Sequence, residues 1–239
     1  MTPQLNEVWV YLSASPLLGL TVTLLAYQAA FWLYRRSGMN PLANPVLIAV
    51  TILVLLLTLT ATSYETYFAG AQFVHFLLGP ATVALAIPLY TQFRRVRSML
   101  LPVVAGLVAG SLTAALSAIA VARLFGASLP TQLSLAPKSV TTPIAMGIAE
   151  RIGGIPSLTA VLVIVTGILG AVGARYSFDA MKLRDPAIRG FAIGVASHGI
   201  GTARAFQVSE QAGAFAALAM GLNGALTALL LPLVLGWMR

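Results

Sequence analysis

Two short polar stretches interrupt an otherwise apolar chain, and both carry groups that could bind an anion. The first is Ala136-Pro137-Lys138-Ser139-Val140-Thr141-Thr142-Pro143-Ile144-Ala145. Pro143 has no N–H to give a helix and disfavours helical geometry at Thr142; Pro137 acts likewise just before the lysine. The spacing predicts a broken helix, with free backbone groups and the hydroxyls of Ser139, Thr141 and Thr142 gathered around one ammonium. In a bilayer such a break survives only where protein buries it or where it lines a wet cavity. The second stretch is Ala196-Ser197-His198-Gly199-Ile200-Gly201-Thr202-Ala203-Arg204-Ala205. Gly199 and Gly201 tolerate unwound backbone and the close approach of a ligand. N–H groups freed at the start of a half-helix, helped by the helix dipole, form an anion site. Ser197 and Thr202 add hydroxyls, His198 a titratable donor, and Arg204 a fork that matches a carboxylate.

Carboxylates are missing around both stretches: none lies between Glu65 and Glu150, or between Asp185 and Glu210. A metal ion or organic cation would find no counter-charge there, whereas a small anion with hydroxyl or keto oxygens would be well served. Plainer roles exist for each residue. Arg204 lies about 21 Å into its segment at the helical rise and could snorkel to the outer interface. Lys138 could be a surface loop cation. His198 could be a packing donor between helices, as could Asn223 in the last segment. Thr141 and Thr142 could simply satisfy backbone freed by Pro143. Serine hydrolysis is not indicated, since His198 has no Asp partner and no Gly-x-Ser-x-Gly elbow is present.

The elements that must position these groups are membrane helices. Of 239 residues, 59% are hydrophobic and 8% charged, with mean hydropathy +0.91; a soluble domain carries about 25% charge. The net charge of +8 comes from basic residues scattered between apolar runs, as in cytoplasmic loops, and no basic stripe with stacking aromatics points to nucleic acid. Without cysteine, disulfides, thiolate metal sites and thiol catalysis are excluded. No basic n-region precedes Pro16, so no cleaved signal peptide is expected. The apolar runs predict an all-α, polytopic, single-domain membrane protein with about seven crossing helices: 16–34, 45–61, 72–90, 98–124, 156–174, 190–206 and 212–237. A loop around Glu65 separates the second from the third, and 131–150 forms the broken stretch.

Basic clusters at 35–36, 94–97 and 175–189 should share the cytoplasmic side. They do so if 131–150 is a re-entrant hairpin that dips in and returns, with the N-terminus outside and Arg239 inside. Three weak matches in order, at Pro45/Pro156, Thr82/Thr202 and Thr113/Thr227, have offsets of 111, 120 and 114 residues and suggest two inverted repeats, 44–124 and 155–238. Inverted repeats with interrupted segments are a signature of secondary transporters, which bind substrate near the midplane at the breaks.

At these motifs the chain resembles the LrgB/CidB family. The resemblance rests on Pro137–Ala145, Gly153-Gly154-Ile155-Pro156, Gly167-Ile168-Leu169-Gly170-Ala171-Val172 and Ala196–Arg204, with Ser63-Tyr64, Tyr67-Phe68, Leu85-Ala86 and Pro88-Leu89-Tyr90, and it covers the chain from about Asn44 onward. It implies a multi-pass protein of the bacterial cytoplasmic membrane. It also implies two kinds of role. Bacterial members are described as holin-like or antiholin-like modulators of murein hydrolase activity and autolysis, working with a small LrgA/CidA-type membrane partner. The plastid relative exports glycolate and imports glycerate, and bacterial members have been linked to pyruvate and similar acids. A holin needs only helices that oligomerise and has no use for two donor-rich breaks. The residues therefore favour a secondary transporter of small monocarboxylates, not an enzyme. In this reading the carboxylate meets Lys138, Arg204 and half-helix N–H groups, including those at Gly199 and Gly201. Ser139, Thr141, Thr142, Ser197 and His198 read the 2-oxygen, and Thr202 adds a further hydroxyl donor to the site. No cofactor is expected; a proton, for which His198 with its reference pKa of about 6.5 is a candidate carrier, or sodium would couple transport. Faces rich in small residues, such as Gly106, Gly110 and Ser111, would allow a homodimer.

Overall fold

A computed structural model describes residues 16–77, 80, 83–84 and 86–235. The stretch before Pro16, Gly79 and Thr82 of the repeat comparison, and Arg239 lie outside them. The chain divides into two compact units, Met1–Ala84 and Leu85–Arg239. The described helices include four that are long and apolar enough to cross a bilayer, Leu17–Arg36, Leu100–Leu124, Pro156–Ala180 and Glu210–Leu235.

In the first unit, α1 (Pro16–Arg36) begins with proline, whose missing N–H costs nothing in a first turn, and ends with Arg35 and Arg36 against the negative end of its dipole. Gly38 and Met39 take positive φ and stop it. The Asn44 carboxamide accepts from Val46 and Leu47 N–H and so starts α2 (Pro45–Leu59). Ala26, Ala30 and Ala49 join α1 to α2. The expected acidic loop is shorter than its sequence suggests. Ser63 Oγ accepts from Thr66 N–H at 3.2 Å, so α3 (Tyr64–Phe76) starts there and Glu65 sits in its first turn, where the dipole favours a negative charge. The expected continuous run 72–90 is not one helix: α3 ends at Phe76 and α4 (Ala86–Thr91) is separate.

The second unit holds α4, α5 (Phe93–Ser98), α6 (Leu100–Leu124), α7 (Leu129–Leu135), α8 (Thr142–Ile152), α9 (Pro156–Ala180), α10 (Pro186–Val208) and α11 (Glu210–Leu235). α7 and α8 form the hairpin expected at 131–150. Ser134 Oγ accepts from Ile155 N–H at 2.7 Å, and Thr159 Oγ1 donates to the Ser134 carbonyl. The chain therefore leaves and returns at one end, and Gly153 closes α8 at φ 88°. Leu133, Ala136, Val140, Ala145, Ile148 and Ile152 fill the hairpin between its arms.

The sixth expected crossing, 190–206, is instead a second hairpin. Ser197 (φ −130°, ψ 15°) and His198 (φ 42°, ψ −135°) break α10. A Cβ on Gly201 would lie 2.9 Å from the Ile193 carbonyl, although eight residues of straight helix span about 12 Å. Gly190 and Val208 line one cavity, where a straight helix would hold them about 27 Å apart. Arm 186–196 thus goes in and arm 199–208 comes back.

This corrects the expected topology. α9 begins at the base of the first hairpin and ends, at Arg175 and Phe178, beside the base of the second. α11 starts against that second base, where Gly190 and Gly194 leave room for the Ala212 and Ala216 carbonyls. It finishes at Leu235 in the core of the first hairpin. Hairpin followed by long helix occurs twice, 129–180 and 186–235, entered from opposite ends of α9. The 94–97 and 175–189 clusters do share one end: Asp185 caps α10 and pairs with Arg95 at 2.7 Å. α11 therefore runs from the end that holds Arg175 and Arg189 towards the first hairpin.

Candidate functional site

The two hairpin tips meet at Asn223, midway along α11 and 1% exposed. Its Nδ2 donates to the Val195 carbonyl of the second hairpin at 3.0 Å and to the Ser139 carbonyl of the first at 3.4 Å. Its Oδ1 accepts from Thr227 Oγ1, which lies 3.2 Å from Ser111 Oγ on α6. Both carbonyls belong to residues beside the breaks. One side chain therefore ties the two breaks and, through Thr227, α6.

Lys138 lies at the first tip. Its Nζ points to the Ala114 carbonyl on α6 and to Ser139 Oγ, each at 3.4 Å, long for charge-assisted bonds. Thr141 sits at the N-cap of α8 with no capping bond from its side chain, which leaves first-turn N–H groups of α8 without that partner. Thr142 opens the helix. Ser111, Ser139, Asn223 and Thr227 line a cavity of about 10 Å³ between the first tip, α6 and α11, room for roughly one water. A larger groove of about 580 Å³ runs between α6 and arm 186–196, from Met99 and Ala187 at the basic end to Ala114, Val195 and Ala196 at the tips. Ala114 lines both.

At the second tip His198 and Ser197 press against α9. His198 Nε2 is 2.9 Å from the Val163 carbonyl; a carbonyl can only accept, so this nitrogen carries the proton. Ser197 Oγ is buried and has no hydrogen-bond partner among the described residues. Thr202 Oγ1 donates to the His198 carbonyl at 2.8 Å and so covers one group freed by the break. Gly199 faces Met220 and Gly201 packs on Ile193.

Small residues on α9 make this docking fit. A Cβ on Gly167 would sit 2.7 Å from the His198 ring, and one on Gly170 would overlap Ser197 Oγ. Gly170→Ala is expected to destabilise by about 1–3 kcal/mol through overpacking. Gly173→Ala, whose new methyl meets nothing within 4 Å, should be neutral or up to about 1 kcal/mol stabilising. Thermal unfolding of the two variants in detergent checks this, and equal midpoints would show that the tip is not packed on α9.

The sequence-derived residues are thus gathered in part. Lys138, Ser139, Thr141 and Thr142 share the first tip; Ser197, His198, Gly199, Gly201 and Thr202 share the second. Arg204 is not brought to Lys138. His198 reverses the chain, so six residues later Arg204 is about 9 Å down the returning arm. There it donates to Gln207 Oε1 and lines a cavity with Arg175 and Arg189. Asn223 was legible only as glue between helices; nothing in an apolar helix announces that its amide reaches two breaks.

The LrgB-like family model matches residues 23–237. Two Bacillus subtilis (strain 168) relatives, named Uncharacterized protein YxaC and Uncharacterized protein YwbG, are 36% and 35% identical. They align over 89% and 93% of this chain and 92% and 98% of their own lengths. Antiholin-like protein LrgB of Bacillus cereus (strain B4264) is 30% identical over 92% of this chain and 95% of its own. No solved structure matches.

Proposed function

The chain belongs to the LrgB-like family, and we propose that it is a secondary transporter of small monocarboxylates, of the glycolate, glycerate, pyruvate or lactate type, working by alternating access at its two hairpin tips. The observation that carries the reading is the Asn223 bridge between the Ser139 and Val195 carbonyls. Two broken segments entered from opposite ends, with their tips held together beside a lysine, form an arrangement that substrate can part. In this reading the carboxylate meets Lys138 and the first N–H groups of α8. Ser139, Thr141 and Thr142 on one side, and Ser197, His198 and Thr202 on the other, read the 2-oxygen, with Gly199 and Gly201 admitting it close to the backbone. Room for about one water beside Ser139 and Asn223 means that the Asn223 bonds must break when substrate enters. The groove beside α6 supplies the path from the basic end. A proton or sodium ion would couple the cycle.

A second reading follows from the name of the Bacillus cereus relative, Antiholin-like protein LrgB: a modulator of murein hydrolase activity and autolysis in the bacterial cytoplasmic membrane, acting with an LrgA/CidA-type partner. The two separate in proteoliposomes. A carrier takes up labelled glycolate, pyruvate or lactate saturably while retaining a large entrapped dye. A holin-like pore releases the dye. A partner-dependent modulator shows neither until the LrgA-type protein is added. Dye loss at the rate of acid uptake would overturn the transporter reading.

A further inference from the structure

At the base of the second hairpin, on the basic end, lies a cavity of about 230 Å³ that does not open onto the tip residues. Arg175 and Phe178 come from α9, Arg189 and Gly190 from the outgoing arm of α10, and Arg204 from the returning arm; Ala212 of α11 closes it. Arg189 donates to Asp179 Oδ1 and to the Leu183 carbonyl, and stacks 5.7 Å over Phe178. Arg175 is 3.8 Å from the other Asp179 oxygen, and Arg204 donates to Gln207. Three guanidiniums thus line the cavity, with the Asp179 carboxylate beside two of them. Apolar walls around such an excess of positive charge focus its field on an anion, and guanidinium forks match planar or tetrahedral oxyanions. The volume is below the roughly 300 Å³ at which drug-sized pockets begin, which suits a small oxyanion.

We propose that this cavity is a second anion site, which takes a carboxylate or phosphate oxyanion between Arg175, Arg189 and Arg204 and fastens both arms of the second hairpin to α9. It does not depend on the tips binding substrate. The oxyanion is either a free small ion or the phosphodiester headgroup of an acidic lipid. Both present the same oxygens, and a test with two arms separates them.

Inorganic phosphate is titrated calorimetrically into purified protein, and thermal unfolding is followed with phosphatidylglycerol against phosphatidylcholine. Arg204→Gln should weaken binding of the effective probe about 10- to 100-fold, the effect expected of one charge-assisted hydrogen bond. The exposed Arg175→Gln should weaken it in the same direction, and Arg204→Lys should keep part of it. Lys138→Ala should leave it unchanged, which separates this site from the tips. Saturable phosphate binding identifies a free ion. Stabilisation by phosphatidylglycerol alone, abolished in Arg204→Gln, identifies a lipid. The proposal fails if neither probe acts on the wild-type protein, if Arg204→Gln with an unchanged melting point binds as well as wild type, or if Lys138→Ala abolishes the binding too.

Discussion

Lys138→Ala is expected to reduce carboxylate uptake by at least about 10- to 100-fold, the worth of one charge-assisted hydrogen bond to bound substrate, without lowering the melting point. Among the described residues its ammonium makes two long bonds, to the Ala114 carbonyl and Ser139 Oγ, so the folded state loses little when it goes. A cation that contributes little to stability but sits beside two breaks is one whose partner arrives from outside. Lys138→Arg keeps the charge with a different shape and should recover part of the rate. Initial uptake rates in proteoliposomes, normalised to folded protein, check the effect. A Lys138→Ala protein that unfolds tens of degrees early would instead make the lysine a structural residue.

Asn223→Ala should act on both stability and transport. It leaves the Ser139 and Val195 carbonyls without their side-chain donor in a buried place, at a cost of about 2–4 kcal/mol for two weakened acceptors. It also releases the two tips from each other. Asn223→Asp preserves the volume but presents acceptors to two carbonyls, and should be as damaging as alanine. Thermal unfolding and uptake are the readouts. An aspartate variant with wild-type stability and rate would show that the amide donors do not hold the tips.

Much of this was legible in the residues. The prolines flanking Lys138 and the loop charges together indicated a re-entrant hairpin, and the chain does turn back there, with Ser134 beside Ile155. Pro45, Pro156 and Pro186 mark helix starts because a first-turn residue does not need its N–H. The second break was visible at Ser197–Gly201, but its consequence was not. A kinked crossing helix and a hairpin have the same hydropathy. The difference lies in the positive φ of His198 and in whether Gly201 meets Ile193, which only tertiary packing decides. Treating 190–206 as a crossing put Arg204 with Lys138, whereas it lines a cavity with Arg175 and Arg189. The excess positive charge at 175–189 read as loop charge, because nothing local shows that Arg204 folds back to join it.

The central claim is that substrate sits between the hairpin tips, and the lack of cysteine makes it directly measurable. Ser139→Cys, a near-isosteric change at the first tip, gives a single thiol whose labelling rate in membranes reports access to the space beside Asn223. The rate is predicted to fall severalfold, on the order of the fraction of protein occupied, when a transported monocarboxylate is present at saturating concentration, and to be unmoved by an acid that is not transported. An unchanged rate in a variant that still transports the acid would place substrate elsewhere and contradict the account.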